Sequence, residues 1–259
     1  MKSVVLVFFL LSSFCQIEPL KAQESQKTKE KKSLDVFSFN SFIIVFGNNP
    51  IYSEHSIPLQ VKDPYKKPNT YWNKQLEKSE KNYCGIKIDT KSSDYKLRTF
   101  SKQSDLFESG FHITHKGSCG TCSTAKDLKV YLEKPNLTSP VRKCAALSFR
   151  WPVMQCLLRL GFTRPCAETW YYNIAQTRRK CSTICIKSWW KDENFNGQDG
   201  SLNSCLACDE KEAGPAFKVT AGRTRRRSGI VSAIKRKDQE FYRLKHDYLK
   251  KIDTDKRSK

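Results

Sequence analysis

The chain has 259 residues, a formal net charge of +21 at pH 7 and eleven cysteines. So many cysteines argue against the cytosol, where thiols are kept reduced, and the charge favours polyanionic partners: nucleic acid, sulfated glycans or anionic lipid surfaces. No H-E-x-x-H, G-x-S-x-G or Gly-rich phosphate loop is present, and His55, His112, His115 and His246 fit no such motif, so no catalytic residue, metal or cofactor is assigned.

Lys2 followed by the apolar run Val4–Leu11 reads as a signal peptide over 1–22, cleaved after Cys15 or Ala22. The run is shorter than the roughly 20 residues a membrane-spanning helix needs, and no later run is longer. Export to the secretory pathway lumen or beyond is the expectation. Residues 23–36 are polar and lysine-rich, a leader without apolar period. Residues 37–118 read as a loop-rich β region. It opens on the aromatic, β-branched stretch up to Phe46 and the turn Gly47-Asn48-Asn49-Pro50, and Tyr83–Ile88 and Phe111–Thr114 are its better strands.

From Cys119 the signals become helical, and 119–230 reads as a helical cysteine-rich domain. Ser123 is expected to cap a helix ending near Pro135, and Ser139-Pro140 to open a second. Pro152 breaks the pattern before Cys156, and Gly161 ends it. Thr163 then caps the longest helix, Arg164–Trp190. Its inward stripe is Cys166, Trp170, Ile174, Thr177, Cys181, Ile184, Cys185 and Ser188. Cys181 and Cys185 are one helical turn apart, too constrained to pair easily with each other, so each is expected to reach a different neighbouring segment. Asn203 or Ser204 caps a short helix bearing Cys205 and Cys208, Gly214-Pro215 interrupts it, and Phe217–Arg227 reads as a short basic helix. Residues 231–259 read as a basic tail. The fold class is therefore α+β: a disulfide-stapled, mainly helical domain preceded by a small β region.

Without Cys15, ten cysteines remain: Cys84, Cys119, Cys122, Cys144, Cys156, Cys166, Cys181, Cys185, Cys205 and Cys208. An even number in an exported chain implies up to five disulfides, with the connectivity open. Asn136-Leu137-Thr138 is a glycosylation sequon. Cys119-Gly120-Thr121-Cys122 resembles the active-site motif of the thioredoxin family in those four residues, which would imply thiol–disulfide exchange by Cys119 and Cys122. A structural pair is the preferred reading. With Cys205 and Cys208 the same motif has zinc-ribbon form, but the 82 intervening residues and the export signal oppose it. The series Cys119-x2-Cys122-x21-Cys144-x11-Cys156-x24-Cys181-x3-Cys185 is similar to that of saposin-like proteins, which would imply a helical bundle that contacts lipid.

Residues 211–259 hold 16 Lys/Arg against 6 Asp/Glu, and the cluster Arg223-Thr224-Arg225-Arg226-Arg227 is their densest part. Together with Lys218 these arginines are candidate anion contacts, since guanidinium groups grip phosphate and sulfate bidentately. The same run has the form of a proprotein processing site. No base-reading module is visible. The expectation is a secreted binding protein whose basic surface meets an anionic glycan, nucleic acid or lipid.

Overall fold

In β2 (Tyr95–Phe100) residues 95–98 alternate, with Tyr95 and Leu97 buried and Lys96 and Arg98 exposed, while Phe100, on the face of Lys96 and Arg98, is buried in a second cluster. That period of two makes one face of a sheet. It pairs antiparallel with β1 (Tyr83–Ile88), which pairs antiparallel with β3 (His112–Lys116), giving the order β2-β1-β3. The structure, a computed structural model, describes residues 61–89 and 95–248. The expected signal peptide, the polar leader and the last eleven residues of the expected tail lie outside the described residues.

Two irregularities in this sheet matter later. A side chain at Gly85 would meet Phe100 at 2.9 Å and Leu106 and Phe111 at 3.1 Å, so glycine makes room for an aromatic cluster beneath the strand. Between β1 and β3 the register passes from Cys84–His115 to Gly85–Ile113. Thr114 is thus the extra residue of a β-bulge, with its polar groups turned out of the ladder.

The helices are α1 (Asn69–Glu80), α2 (Gln103–Glu108), α3 (Ala125–Glu133), α4 (Thr138–Ala145), α5 (Arg150–Arg159), α6 (Arg164–Trp190), α7 (Ser204–Glu212) and α8 (Gly214–Ala221). Their ends follow local chemistry. Thr124, not Ser123, caps α3: its hydroxyl accepts from the Asp127 N–H and donates to the Asp127 carboxylate at 2.5 Å. Asp127 also accepts from the N–H and hydroxyl of Thr163, both at 2.8 Å, which joins the starts of α3 and α6. Thr163 therefore stands at the expected end of α6 with its hydroxyl aimed at a neighbour rather than at its own helix. Asn136, not Ser139, serves the start of α4 by accepting from the Ser139 N–H. Pro152 sits in the first turn of α5, where its missing N–H costs nothing. Gly222 ends α8 well before the expected Arg227.

Helix α1 falls where loops were expected. It holds few apolar residues, and Trp72, Leu76 and Ser79 make a narrow inner face by steps of four and three. Residues 231–248 are not a free tail either. Tyr242 packs edge-on against Tyr83, and Tyr248 is buried over the sheet beside His112.

All ten cysteines after Cys15 are paired: Cys84–Cys119, Cys122–Cys166, Cys144–Cys156, Cys181–Cys208 and Cys185–Cys205. Cys119 and Cys122 are not partners of each other; one ties the sheet, the other the start of α6. Cys181 and Cys185 do not lash α6 to two segments. Both reach α7, one helical turn apart. The reason lies in burial. Of residues 181–190 only Cys181 and Ser188 are buried, and Ile184, expected inward, is exposed. This last third of α6 has too little apolar contact to be held by packing, and the two bridges hold it to α7 instead.

Each of those bridges is worth about 3 kcal/mol. Replacing Cys181, Cys185, Cys205 and Cys208 with Ser should let residues 182–190 fray while the core persists. Amide hydrogen exchange reads this directly. The expected result is loss of protection in that stretch with slow exchange kept in α3 and β1; protection unchanged in 182–190 would show that packing suffices.

Candidate functional site

The arginines of 223–227 are not the exposed cluster expected. Arg223 is 0% exposed, and its five N–H groups have five hydrogen bonds. Nε donates to the Cys122 carbonyl at 3.1 Å, Nη1 to the Thr114 carbonyl at 2.9 Å and Ser228 Oγ at 3.1 Å, and Nη2 to Thr114 Oγ1 at 2.7 Å and the Ser123 carbonyl at 3.0 Å. The bulge at Thr114 is what frees that carbonyl. Arg225 donates to the carbonyls of Tyr131, Val231 and Lys134 and lies over the Tyr131 ring. Arg227 is buried and donates to the carbonyls of Lys218 and Gly222. Arg226 and Lys218 pair with Glu210, which also receives Arg236. Burial works against the Glu210 charge, but Lys218, Arg226 and Arg236 outweigh it and hold its pKa at about 2. Donors engaged in this way leave no open fork for a phosphate or sulfate. Within the processing motif Arg223 and Arg227 are buried, and Arg225 and Arg226 are partly so.

The C-G-T-C segment is shaped by packing. A side chain at Gly120 would meet the Thr220 carbonyl oxygen at 2.5 Å and the Gly222 nitrogen at 2.6 Å, while Thr121 and Cys122 donate N–H bonds to Thr220 and Ala221 at 2.9 Å. Glycine lets this backbone cross the end of α8. Ser123 Oγ accepts from the Gly120 N–H at 2.8 Å and lies 2.7 Å from His115 Nε2. The Lys116 carbonyl can only accept, so His115 Nδ1 carries the hydrogen and Nε2 accepts from Ser123. Burial, then Arg223, hold His115 well below its ordinary pKa. A serine and a neutral histidine in contact resemble a nucleophile and base, but both are 0% exposed and reach no substrate.

With each sulfur of Cys119, Cys122, Cys205 and Cys208 in a disulfide to another segment, neither an exchange pair nor a four-thiolate zinc site remains. Of the six saposin-like positions only Cys144 and Cys156 pair within the series. Cys119, Cys122, Cys181 and Cys185 take Cys84, Cys166, Cys208 and Cys205, so the six-cysteine resemblance does not carry over to the connectivity.

The exposed cations lie elsewhere. From Lys134 through Lys191 the chain has eleven basic residues and one acid, Glu168. Lys143, Arg150, Arg159, Arg164, Arg179, Lys180, Lys187 and Lys191 are exposed. Glu168 is half-buried and bridged by Arg150 at 3.6 Å. This stretch builds α4, α5 and α6. Arg178 anchors it by donating to the carbonyls of Ala145 and Leu147. Asn136, the sequon residue, is exposed at its edge.

Residues 151–244 match the model of a family of unknown function (DUF8771). No curated protein and no solved structure matches the chain. The matched span runs from the first turn of α5 through α8 and the buried arginines to Leu244, and leaves out the sheet. It is a disulfide-rich domain whose six cysteines include two, Cys156 and Cys166, that pair outside it.

Two outcomes test this network. Arg223→Lys offers three donors where five are used, so at least two buried acceptors are left unsatisfied at about 1–3 kcal/mol each, whereas Arg226→Ser removes partly exposed ion pairs worth about 0–1 kcal/mol. Chemical denaturation of both variants measures the contrast, and equal costs would remove Arg223 from the centre of the fold. His246 donates from Nε2 to the Ser228 carbonyl at 3.0 Å, with Nδ1 2.9 Å from the Tyr248 hydroxyl. Burial, then Arg223, lower its pKa from 6.5 to about 4. The folded state therefore favours neutral His246, and that stability, intact above pH 6.5, is lost as pH falls through about 4. His246→Gln, which does not titrate, should lose about 3 kcal/mol less than the parent over that window. Parallel stability curves for the two proteins would contradict the assignment.

Proposed function

We propose that this protein is exported and acts as a disulfide-locked binding module for an anionic partner, engaged through the basic face of α4, α5 and α6. The supporting observation is the segregation of charge: eight exposed cations on a segment whose one acid is already bridged. Five disulfides suit an oxidising compartment, and no described helix is long and apolar enough to cross a membrane. Exposed Asn136 is open to the glycosylation its sequon suggests. The arginines of 223–227 hold the module together and take no part in contact.

A cationic face of this kind gives affinity that falls steeply with salt, because bound counterions are released on association. Arg179→Gln, Lys180→Gln, Lys187→Gln and Lys191→Gln together should lower the salt at which the protein leaves immobilised heparin. The log–log salt slope should flatten by about one for each cation that had paired with a sulfate. All four side chains are exposed, so the melting temperature should stay within a few degrees. If the fourfold variant elutes with the parent, the partner-binding face lies elsewhere.

A further inference from the structure

Helix α6 outgrows its neighbours, and its outer face has a second property besides charge. Trp189 and Trp190 are 73% and 79% exposed, with Ile186 half-open beside them. Ile186 stands three and four residues before the two tryptophans, so the three share one face. Tyr171 and Tyr172 lie eighteen residues before Trp189 and Trp190, which is five helical turns, so the two aromatic pairs fall on the same side of the helix about 27 Å apart. At the Tyr171 end the Arg150 guanidinium lies over both rings, 5.1 Å and 5.7 Å from their centroids. Its chain neighbours Phe149 and Trp151 are 76% and 73% exposed. The exposed Phe149 and Trp151 thus flank the arginine that covers one end of this side of α6, and Ile186, Trp189 and Trp190 stand at the other end. Arg179 lies between them, and the row Lys180, Lys187 and Lys191 runs alongside.

Large aromatic side chains left open at this density mark a contact surface. Among the described residues 169–191 no carboxylate interrupts it. Tryptophan beside lysine is the chemistry of the bilayer interface, where indole rings settle at the headgroup level and lysines meet lipid phosphates. The tyrosine and tryptophan pairs lie on one side of α6 five turns apart, which suits a flat partner. A second copy of this chain would bring like charges face to face.

Resting on the anionic-partner reading above, we propose that the partner is the surface of an anionic lipid bilayer, with Trp189, Trp190 and Ile186 entering the interface and Phe149 and Trp151 forming a second point of contact. Helix α6 lies along the bilayer and does not cross it. The two disulfides to α7 keep the aromatic arm helical when it is free in water.

The test uses the full disulfide-bonded protein and vesicles of phosphatidylcholine with or without phosphatidylserine. The parent should sediment with the phosphatidylserine vesicles, its tryptophan emission should move to the blue, and lipids brominated on the acyl chain should quench it. Trp189→Ser with Trp190→Ser should lower vesicle partition by about tenfold or more, since each ring buries a large apolar area. The same double variant should leave heparin elution unchanged, because it removes no charge. Retention on heparin with no vesicle binding would overturn the lipid proposal and leave the anionic-partner reading standing. Vesicle binding without quenching would also overturn it, as would a dimer that the double variant dissolves. Absence of both heparin and vesicle binding would overturn the two readings together.

Discussion

A guanidinium group closed off from water, with no carboxylate bonded to it among the described residues, ties the sheet to the turn before α3 and the segment after α8. Leaving a charge unpaired in the interior costs many kcal/mol, and Arg223 is tolerable there because five acceptors meet its five donors. Those acceptors come from three places: the bulged residue of β3, the Cys122–Ser123 turn before α3, and Ser228 beyond α8. Other contacts also join them, His115 to Ser123 and the Thr121 and Cys122 N–H groups to the end of α8, but Arg223 is the one side chain that bonds to all three. The Thr114 bulge breaks the ladder, Gly120 and Gly222 let two backbones cross and bond to each other, and the arginine side chain is aimed between the two features. His115 and His246 flank the same group, and each is held in its neutral form.

Around that centre the apolar core is divided. One cluster joins α3, α4, α5 and the start of α6; two smaller ones lie on and beneath the sheet. Divided clusters bury less surface per residue than one continuous core, and three of the disulfides are built into them while two stand where burial is thin. Cys84–Cys119 lies within the cluster on the sheet and Cys122–Cys166 within the helical one, so the C-G-T-C turn is fixed to each by its own disulfide. Cys181–Cys208 and Cys185–Cys205 hold the part of α6 that has almost no apolar contact at all. The cross-links take over where the hydrophobic effect gives out, which is also why that part of α6 can leave its tryptophans open.

The elements that were legible in the sequence are those whose signals are local. The helix Arg164–Trp190 is legible because Thr163-Arg164-Pro165 starts it and steps of three and four run on from Cys166, although its last third keeps few of those positions inside. Asn203 caps α7 as expected, and Tyr83–Ile88 is a strand on its β-branched and aromatic content. Helix α1 escaped because three inner residues make too faint a period. The disulfide partners escaped because pairing depends on which segments meet, and ten cysteines leave that open. Cys181 and Cys185 show the limit well: a one-turn spacing establishes that they face the same way, which is as consistent with one partner helix carrying Cys205 and Cys208 as with two.

The basic cluster shows a harder limit. Charge density in sequence points to Arg223–Arg227, and charge density in space points to α4, α5 and α6. Arginine is ambiguous because its five donors serve a backbone carbonyl as well as a phosphate, and the run after Gly222 is surrounded by carbonyls left free at helix ends and bulges. Lysine lacks that fork, and its compact ammonium stays in water unless a carboxylate draws it in. The cations that remain open on α6 and just past it include the lysines Lys180, Lys187 and Lys191 beside Arg164 and Arg179, spread at helical spacing where no run draws the eye. A shortage of acids over a long segment, with one carboxylate between Lys134 and Lys191, is the sequence signal that locates them. It is found by asking where negative charge is missing instead of where positive charge is dense.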